Sequence, residues 1–172
     1  MALDVRASGA ARNGGGIVST DESVAIAIVL EHYDVGEGVQ WPPFDVENVW
    51  ALSLTQPYFE VHSIPFYAAN LNVGDVVEAQ PREGFADPVV TSVVRRSGNW
   101  TVHIVVMDGA SEAAQTLLDR AAELGCTIDH DDTTGIVAMS VPPTLETEKV
   151  FALLEAGEGD GTWDVEISSG PV

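Results

Sequence analysis

The sequence predicts an α+β fold built in two unlike parts. Between residues 23 and 98, short alternating or apolar runs follow one another with no helical pattern between them. From Trp100 onward, strands interleave with two amphipathic helical stretches. Between these regimes lies the stretch on which the rest of the chain is organised, Ile64 to Ala79, I-P-F-Y-A-A-N-L-N-V-G-D-V-V-E-A. The first part is expected to form a small β-barrel or strongly curled sheet over residues 21–98, and the second an α+β unit over 99–172.

Residues 1–20 contain Ser8-Gly9 and Gly14-Gly15-Gly16 and read as a flexible arm with little to bury. Residues 23–31 mix alternation with continuous apolarity, the mark of a well-buried strand. Asp34 to Pro43 carries two glycines and two prolines and reads as a loop. Glu47 to Leu54 alternates, with Trp50, Leu52 and Leu54 on one face. Gln56-Pro57 turns the chain, and Tyr58 to Ile64 returns as the second arm of a hairpin. Pro65 has no N–H to give a ladder and ends that strand. Gly74-Asp75 opens a strand over Val76–Gln80, and Val89–Arg96 forms another, stopped by Ser97-Gly98-Asn99.

In the second part, Trp100–Met107 is a strand with Trp100, Val102, Ile104 and Val106 on one face. Ser111 is the expected N-cap of a helix whose stripe is Ala114, Leu117, Leu118, Ala121 and Leu124, ended by Gly125. Strands follow at Cys126–Asp131 and Ile136–Val141. Thr144 is the expected cap of a second helix, with Val150, Phe151 and Leu154 inward and Gly157 as its stop. A last strand covers Thr162–Ile167. The order β-α-β-β-α-β is that of a ferredoxin-like fold, with both helices on one face of an antiparallel sheet.

Composition restricts function more than it defines it. Seven basic residues face 27 acidic ones, for a formal net charge of -20, and the acids are scattered along the chain. Only Lys149 is a lysine. Scarce lysine with abundant Asp and Glu fits adaptation to a cytoplasm at high salt, where the Debye length of about 3 Å at 1 M screens the self-repulsion. The competing reading is an acidic surface, even a nucleic-acid mimic, that occupies a basic partner. Direct nucleic-acid binding is not expected, because no basic stripe exists beyond Arg95-Arg96. The single cysteine, Cys126, forbids an internal disulfide. No signal peptide is visible, and the longest apolar run, Val24–Leu30, is too short to span a membrane, so a cytoplasmic location is expected.

A resemblance arises from W-A at Trp50-Ala51, I-P-F-Y-A at Ile64–Ala68 and G-D-V-V-E-A at Gly74–Ala79. It continues in R-S-G at Arg96–Gly98, L-G-C at Leu124–Cys126, V-P-P at Val141–Pro143, and Trp163 with Glu166. Over about residues 40–168 the chain resembles a prokaryotic family of uncharacterised proteins, the domain of unknown function 4265. The resemblance brings no activity with it. The chain departs from the family pattern at Val165–Ser168, where the family often closes with an acidic pair followed by Gly-Cys.

No constellation carries an obvious chemistry. Asp129-His130-Asp131-Asp132 offers four adjacent potential ligands, but strand neighbours point to opposite faces, so no more than two reach one ion; a solvated turn is the better reading. His32 and Asp34 share a face but make only half a site. Cys126 follows a helix C-terminus, where a thiolate is disfavoured. Ser97 and Ser111 lack a nucleophile-elbow context, and the glycine run at 14–16 lacks the Lys-Ser or Lys-Thr of a phosphate loop. No metal or cofactor is expected. Most of Trp41, Trp50, Phe66, Tyr67, Trp100 and Trp163 are expected in core or seam, with Phe66-Tyr67 the exception, since it follows Pro65 outside a ladder.

His103, on the face away from the helices, is expected to be satisfied at the seam between the two parts or to anchor a ligand there. The leading expectation is therefore a non-enzymatic binding or regulatory protein that takes a protein or small ligand around Phe66, Tyr67, Asp75 and His103. The alternatives are an acidic inhibitor or immunity-type protein, and, last, an enzyme with Asp75 or His103 as an acid-base group. A homodimer through the sheet is permitted but nothing requires it.

Overall fold

The computed structural model describes residues 22–170. The expected arm at residues 1–20 lies outside the described residues. The chain is mixed α+β, mostly strand, with two helices. Strands β1 (Ser23–Val29), β4 (Val46–Ser53), β5 (Tyr58–Val61), β6 (Val76–Gln80) and β7 (Val89–Arg95) form a curled sheet in the order β1-β4-β5-β6-β7. It closes through one parallel contact, Ala27 beside Val89. The core of this barrel includes Ile26, Val49, Ala51, Phe59, Val61 and Val77. Between β1 and β4, the expected loop folds as a two-stranded ribbon of β2 (Tyr33–Asp34) and β3 (Gln40–Trp41). The Asp34 carboxylate accepts from the Gly36 N–H at 2.7 Å, a local turn that periodicity does not register.

After β7 come β8 (Trp100–Val106), α1 (Ser111–Leu124), β9 (Thr127–His130), β10 (Ile136–Val141), α2 (Thr147–Gly159) and β11 (Trp163–Ser169). The four strands form an antiparallel sheet in the order β11-β8-β10-β9. Trp100, Val102 and Ile104 of β8 share a core with Leu118 of α1, Leu154 of α2 and Trp163. The opposite face carries Thr101, His103 and Val105, so period-two alternation assigns both faces of β8 correctly.

Several boundaries differ from the sequence reading. The strand expected to run to Ile64 ends at Val61, because the N–H groups of His62 and Ser63 both turn to the Trp50 carbonyl, at 2.8 and 3.2 Å. The inward face of β4 is Glu47, Val49, Ala51 and Ser53, not the Trp50 face, and Trp50 is 58% exposed. Ser111 is the first residue of α1 and caps nothing; Ala110 holds the N-cap position. Likewise α2 begins after Glu146, not Thr144. Gly157 does not stop α2 but lies inside it. A Cβ there would sit 2.2 Å from Trp163 Cε2, so its role is close approach of helix to indole. Gly125 does end α1, with φ of 110°.

Candidate functional site

The Ile64–Ala79 stretch is fixed from beneath by a residue the sequence reading passed over. Glu47 stands on β4 in phase with Val49 and Ala51, and is only 8% exposed. Its Oε1 accepts from the Phe66 N–H at 2.6 Å, and its Oε2 accepts from those of Tyr67 and Ala68 at 3.0 and 2.7 Å. Three consecutive N–H groups of an irregular segment have no ladder partner, and one buried carboxylate satisfies all three. Burial raises the Glu47 pKa; the three N–H groups and nearby His103 oppose this but are outweighed. The signal available in the sequence was an acid on the same face of an alternating strand as Val49 and Ala51.

Tyr67 extends from this anchored turn to the β9–β10 turn. Its hydroxyl donates to Asp131 Oδ2 and lies 3.0 Å from Thr134 Oγ1, which itself donates to Asp131 at 2.6 Å. Burial, then the bond to Asp131, push the Tyr67 hydroxyl up to about 12. The hydrogen bonds from Thr134 and then Tyr67 hold the Asp131 carboxyl down at about 2. Trp41 and Phe44 meet the Tyr67 ring edge-on, with centroids 5.8 and 5.4 Å away. Asp131, read in the sequence as part of a solvated turn, is thus a tie between the barrel and the four-stranded sheet.

His103 is the second tie. Its Nε2 lies 3.0 Å from the Pro65 carbonyl oxygen. That oxygen only accepts, so Nε2 carries the hydrogen. On the sheet, His103 lies opposite Glu166 of β11 and Ala138 of β10. A third tie is Asn72, whose Oδ1 accepts from Thr101 at 2.8 Å and from Ser169 at 2.5 Å.

Asp75 is placed elsewhere. It is 0% exposed, paired with Arg96 at 2.9 Å, and accepts from the N–H groups of Ser97 and Asn72 at 2.8 and 3.2 Å. The structure therefore brings Phe66, Tyr67 and His103 together where the barrel meets the sheet and leaves Asp75 in the seam beside them. The Arg96 side chain also donates to the Asn70 carbonyl, so this pair pins the far end of the same segment.

Between the end of β1 and the open face of the four-stranded sheet lies a cleft of about 1060 Å³. The barrel side is Ile28 to Glu31, Tyr33, Trp41 and the Phe66–Asn70 turn. The sheet side is His103, Val105, Thr134, Ile136 and Asp164–Ser168. The volume is at or above the top of the range usual for small-molecule sites, about 300–1,000 Å³. Glu31, Asp164 and Glu166 bring carboxylates to its wall, and among the described residues no Lys or Arg lines it. Burial, and then the charge of Glu166, raise the Tyr33 hydroxyl pKa.

Among the described residues, no group of three or more His, Cys, Asp or Glu is gathered to hold a metal ion. Cys126 is buried, and burial pushes its thiol up to about 11. No described helix is long and apolar enough to cross a membrane.

No curated protein matches the chain. A crystal structure of a hypothetical protein from Neisseria gonorrhoeae is similar in fold, with a TM-score of 0.69 at 18% sequence identity, covering 88% of this chain and 97% of that one. At that identity the likeness concerns architecture alone. The model of one family matches residues 47–165, which include the anchored turn, Asp75, His103 and, of the wall's carboxylates, Asp164; the chain belongs to the domain of unknown function family DUF4265.

Proposed function

We propose that this is a non-enzymatic binding protein that takes its ligand in the cleft between the barrel and the four-stranded sheet. The observation that carries the reading is the construction of the cleft wall. Tyr67 and His103 line it, Glu47 holds the Phe66–Ala68 turn from beneath, and each is already engaged: by Asp131, by the Pro65 carbonyl, and by three backbone N–H groups. Groups committed to holding a wall make a rigid surface, whereas acid-base catalysis needs a group left to exchange a proton with a substrate. On this reading, residues 21–98 are a barrel-like domain, 99–172 a ferredoxin-like domain, and the ligand reports on or fixes their juncture. The sheet order β11-β8-β10-β9 with both helices against one face supports the second assignment. The charge of -20 supports either a saline cytoplasm or a basic partner.

The test is an NMR screen of a mixed library of small molecules and short peptides against the full chain. Shifts are expected to concentrate on the amides of Val29, Tyr67, His103 and Glu166. Val105, 51% exposed on the cleft wall, is replaced by Trp to fill the space without touching any of the three ties. Val105→Trp should abolish the shifts at an unchanged melting temperature. Hits that scatter over the surface, or that survive the filled cleft, overturn the reading.

A further inference from the structure

The geometry points to a specific occupant: we propose that the cleft takes an extended peptide segment carrying Arg or Lys at alternate positions, added as a new strand along β11. This rests on the cleft reading above and narrows it to one ligand class.

β11 is the outer strand of its sheet and, among the described residues, pairs only with β8. The Met107 N–H donates to the Thr162 carbonyl at 3.0 Å, which sets the phase of the ladder. In an antiparallel pair, residues alternate between facing the partner strand and facing away. Asp164 and Glu166 therefore turn their backbone groups toward β8, and Val165 and Ile167 turn theirs to the free edge. Five successive residues, Asp164–Ser168, line the cleft, so the cleft runs along this edge. The opposite outer strand, β9, contributes no lining residue. An uncovered edge is a template for an added strand.

Charge selects the occupant. Asp164 and Glu166 stand two apart, opposite Val105 and His103, on the cleft face of the sheet. Directly opposed side chains on a new strand lie within interaction distance, so a segment with cations at alternate positions would pair with both. Glu31 adds a third carboxylate from the barrel wall, and Tyr33 and Trp41 offer ring faces to a guanidinium or ammonium. The same two acids argue against a second copy of this chain on the edge, because antiparallel β11–β11 pairing sets acids against acids.

The experiment uses a labelled short peptide alternating Arg with Val, read by fluorescence anisotropy against the full chain at low salt. Binding is expected, and the Glu-for-Arg version of the peptide should not bind. The same peptide N-methylated at the residues whose N–H groups would face β11 should lose binding, since strand addition needs those donors. Asp164→Asn combined with Glu166→Gln, both exposed, should weaken binding about tenfold without lowering the melting temperature. Equal affinity of the N-methylated peptide, or of the charge variant, overturns the proposal. Binding of free arginine or tetramethylammonium with no peptide binding also overturns it. Cleft-centred shifts in the NMR screen alongside a silent peptide would reject this inference and leave the binding reading standing.

Discussion

Replacing Glu47 tests whether one buried carboxylate holds the central turn. In Glu47→Ala, three N–H groups lose their acceptor: those of Phe66, Tyr67 and Ala68. A buried donor left unmade costs about 1–3 kcal/mol. Phe66 and Tyr67 are half-buried and regain some water, while Ala68 is buried and does not. A loss of about 3 kcal/mol is the reasonable sum. Glu47→Gln behaves differently. Its carbonyl oxygen can keep the Tyr67 and Ala68 bonds, while its amide faces the Phe66 N–H, costing about 1–3 kcal/mol. Part of this is offset because Gln carries no buried charge, so the net cost should be near 1 kcal/mol. Urea unfolding followed by fluorescence of the buried Trp100 and Trp163 gives both values. Hydrogen exchange should quicken at Phe66, Tyr67 and Ala68 first.

The pH dependence has a definite sign. Burial raises the folded-state Glu47 pKa above its ordinary 4.5, so the folded state holds this proton more tightly than the unfolded one. The stability gained from that proton is full below 4.5 and is lost as pH rises through the folded value. The advantage of the natural protein over Glu47→Gln should therefore shrink as pH rises through that window. If Glu47→Ala is no more harmful than Glu47→Gln, the account of Glu47 as the anchor is wrong; an advantage that grows with pH would refute the raised pKa instead.

Three further outcomes are expected. In Tyr67→Phe, the Asp131 carboxyl should titrate above its natural value of about 2 yet below its ordinary 3.8, because the Thr134 hydrogen bond remains; a carboxyl-carbon NMR titration reads this, and an unmoved midpoint refutes the tie. In the natural protein, Asp131 contributes stability above pH 3.8 that is lost as pH falls through about 2. If the charge of -20 reflects a saline cytoplasm, the melting temperature should rise continuously from about 0.01 M salt, where the Debye length is about 30 Å, to about 2 M. A plateau by roughly 0.2 M would instead assign the acidity to a basic partner.

The local regularities were legible in the residues alone. Val76–Gln80 and Ile136–Val141 lie where alternation and turn residues put them, and α1 ends at Gly125 as a left-handed cap requires. These depend on neighbours a few positions apart, which a sequence displays directly. Helix starts were less legible, because Ser111 and Thr144 fit the cap pattern but neither caps its helix. Periodicity also showed that β4 has two faces without showing which one turns inward. The barrel's closure decides that, and it buries Glu47 and leaves Trp50 in water.

The candidate site divides in the same way. The acidity, the single thiol, the irregular I-P-F-Y-A turn and the placement of His103 on the face away from the helices can be read from the residues alone. What those features meet depends on how the chain packs. Glu47 lies 19 to 21 positions from the N–H groups it holds, Tyr67 lies 64 from Asp131, and His103 lies 38 from Pro65. Contacts at such separations leave no periodic trace in a single sequence. They form when the barrel and the sheet close on one another, because the unpaired groups of an irregular turn must find partners wherever the fold brings them.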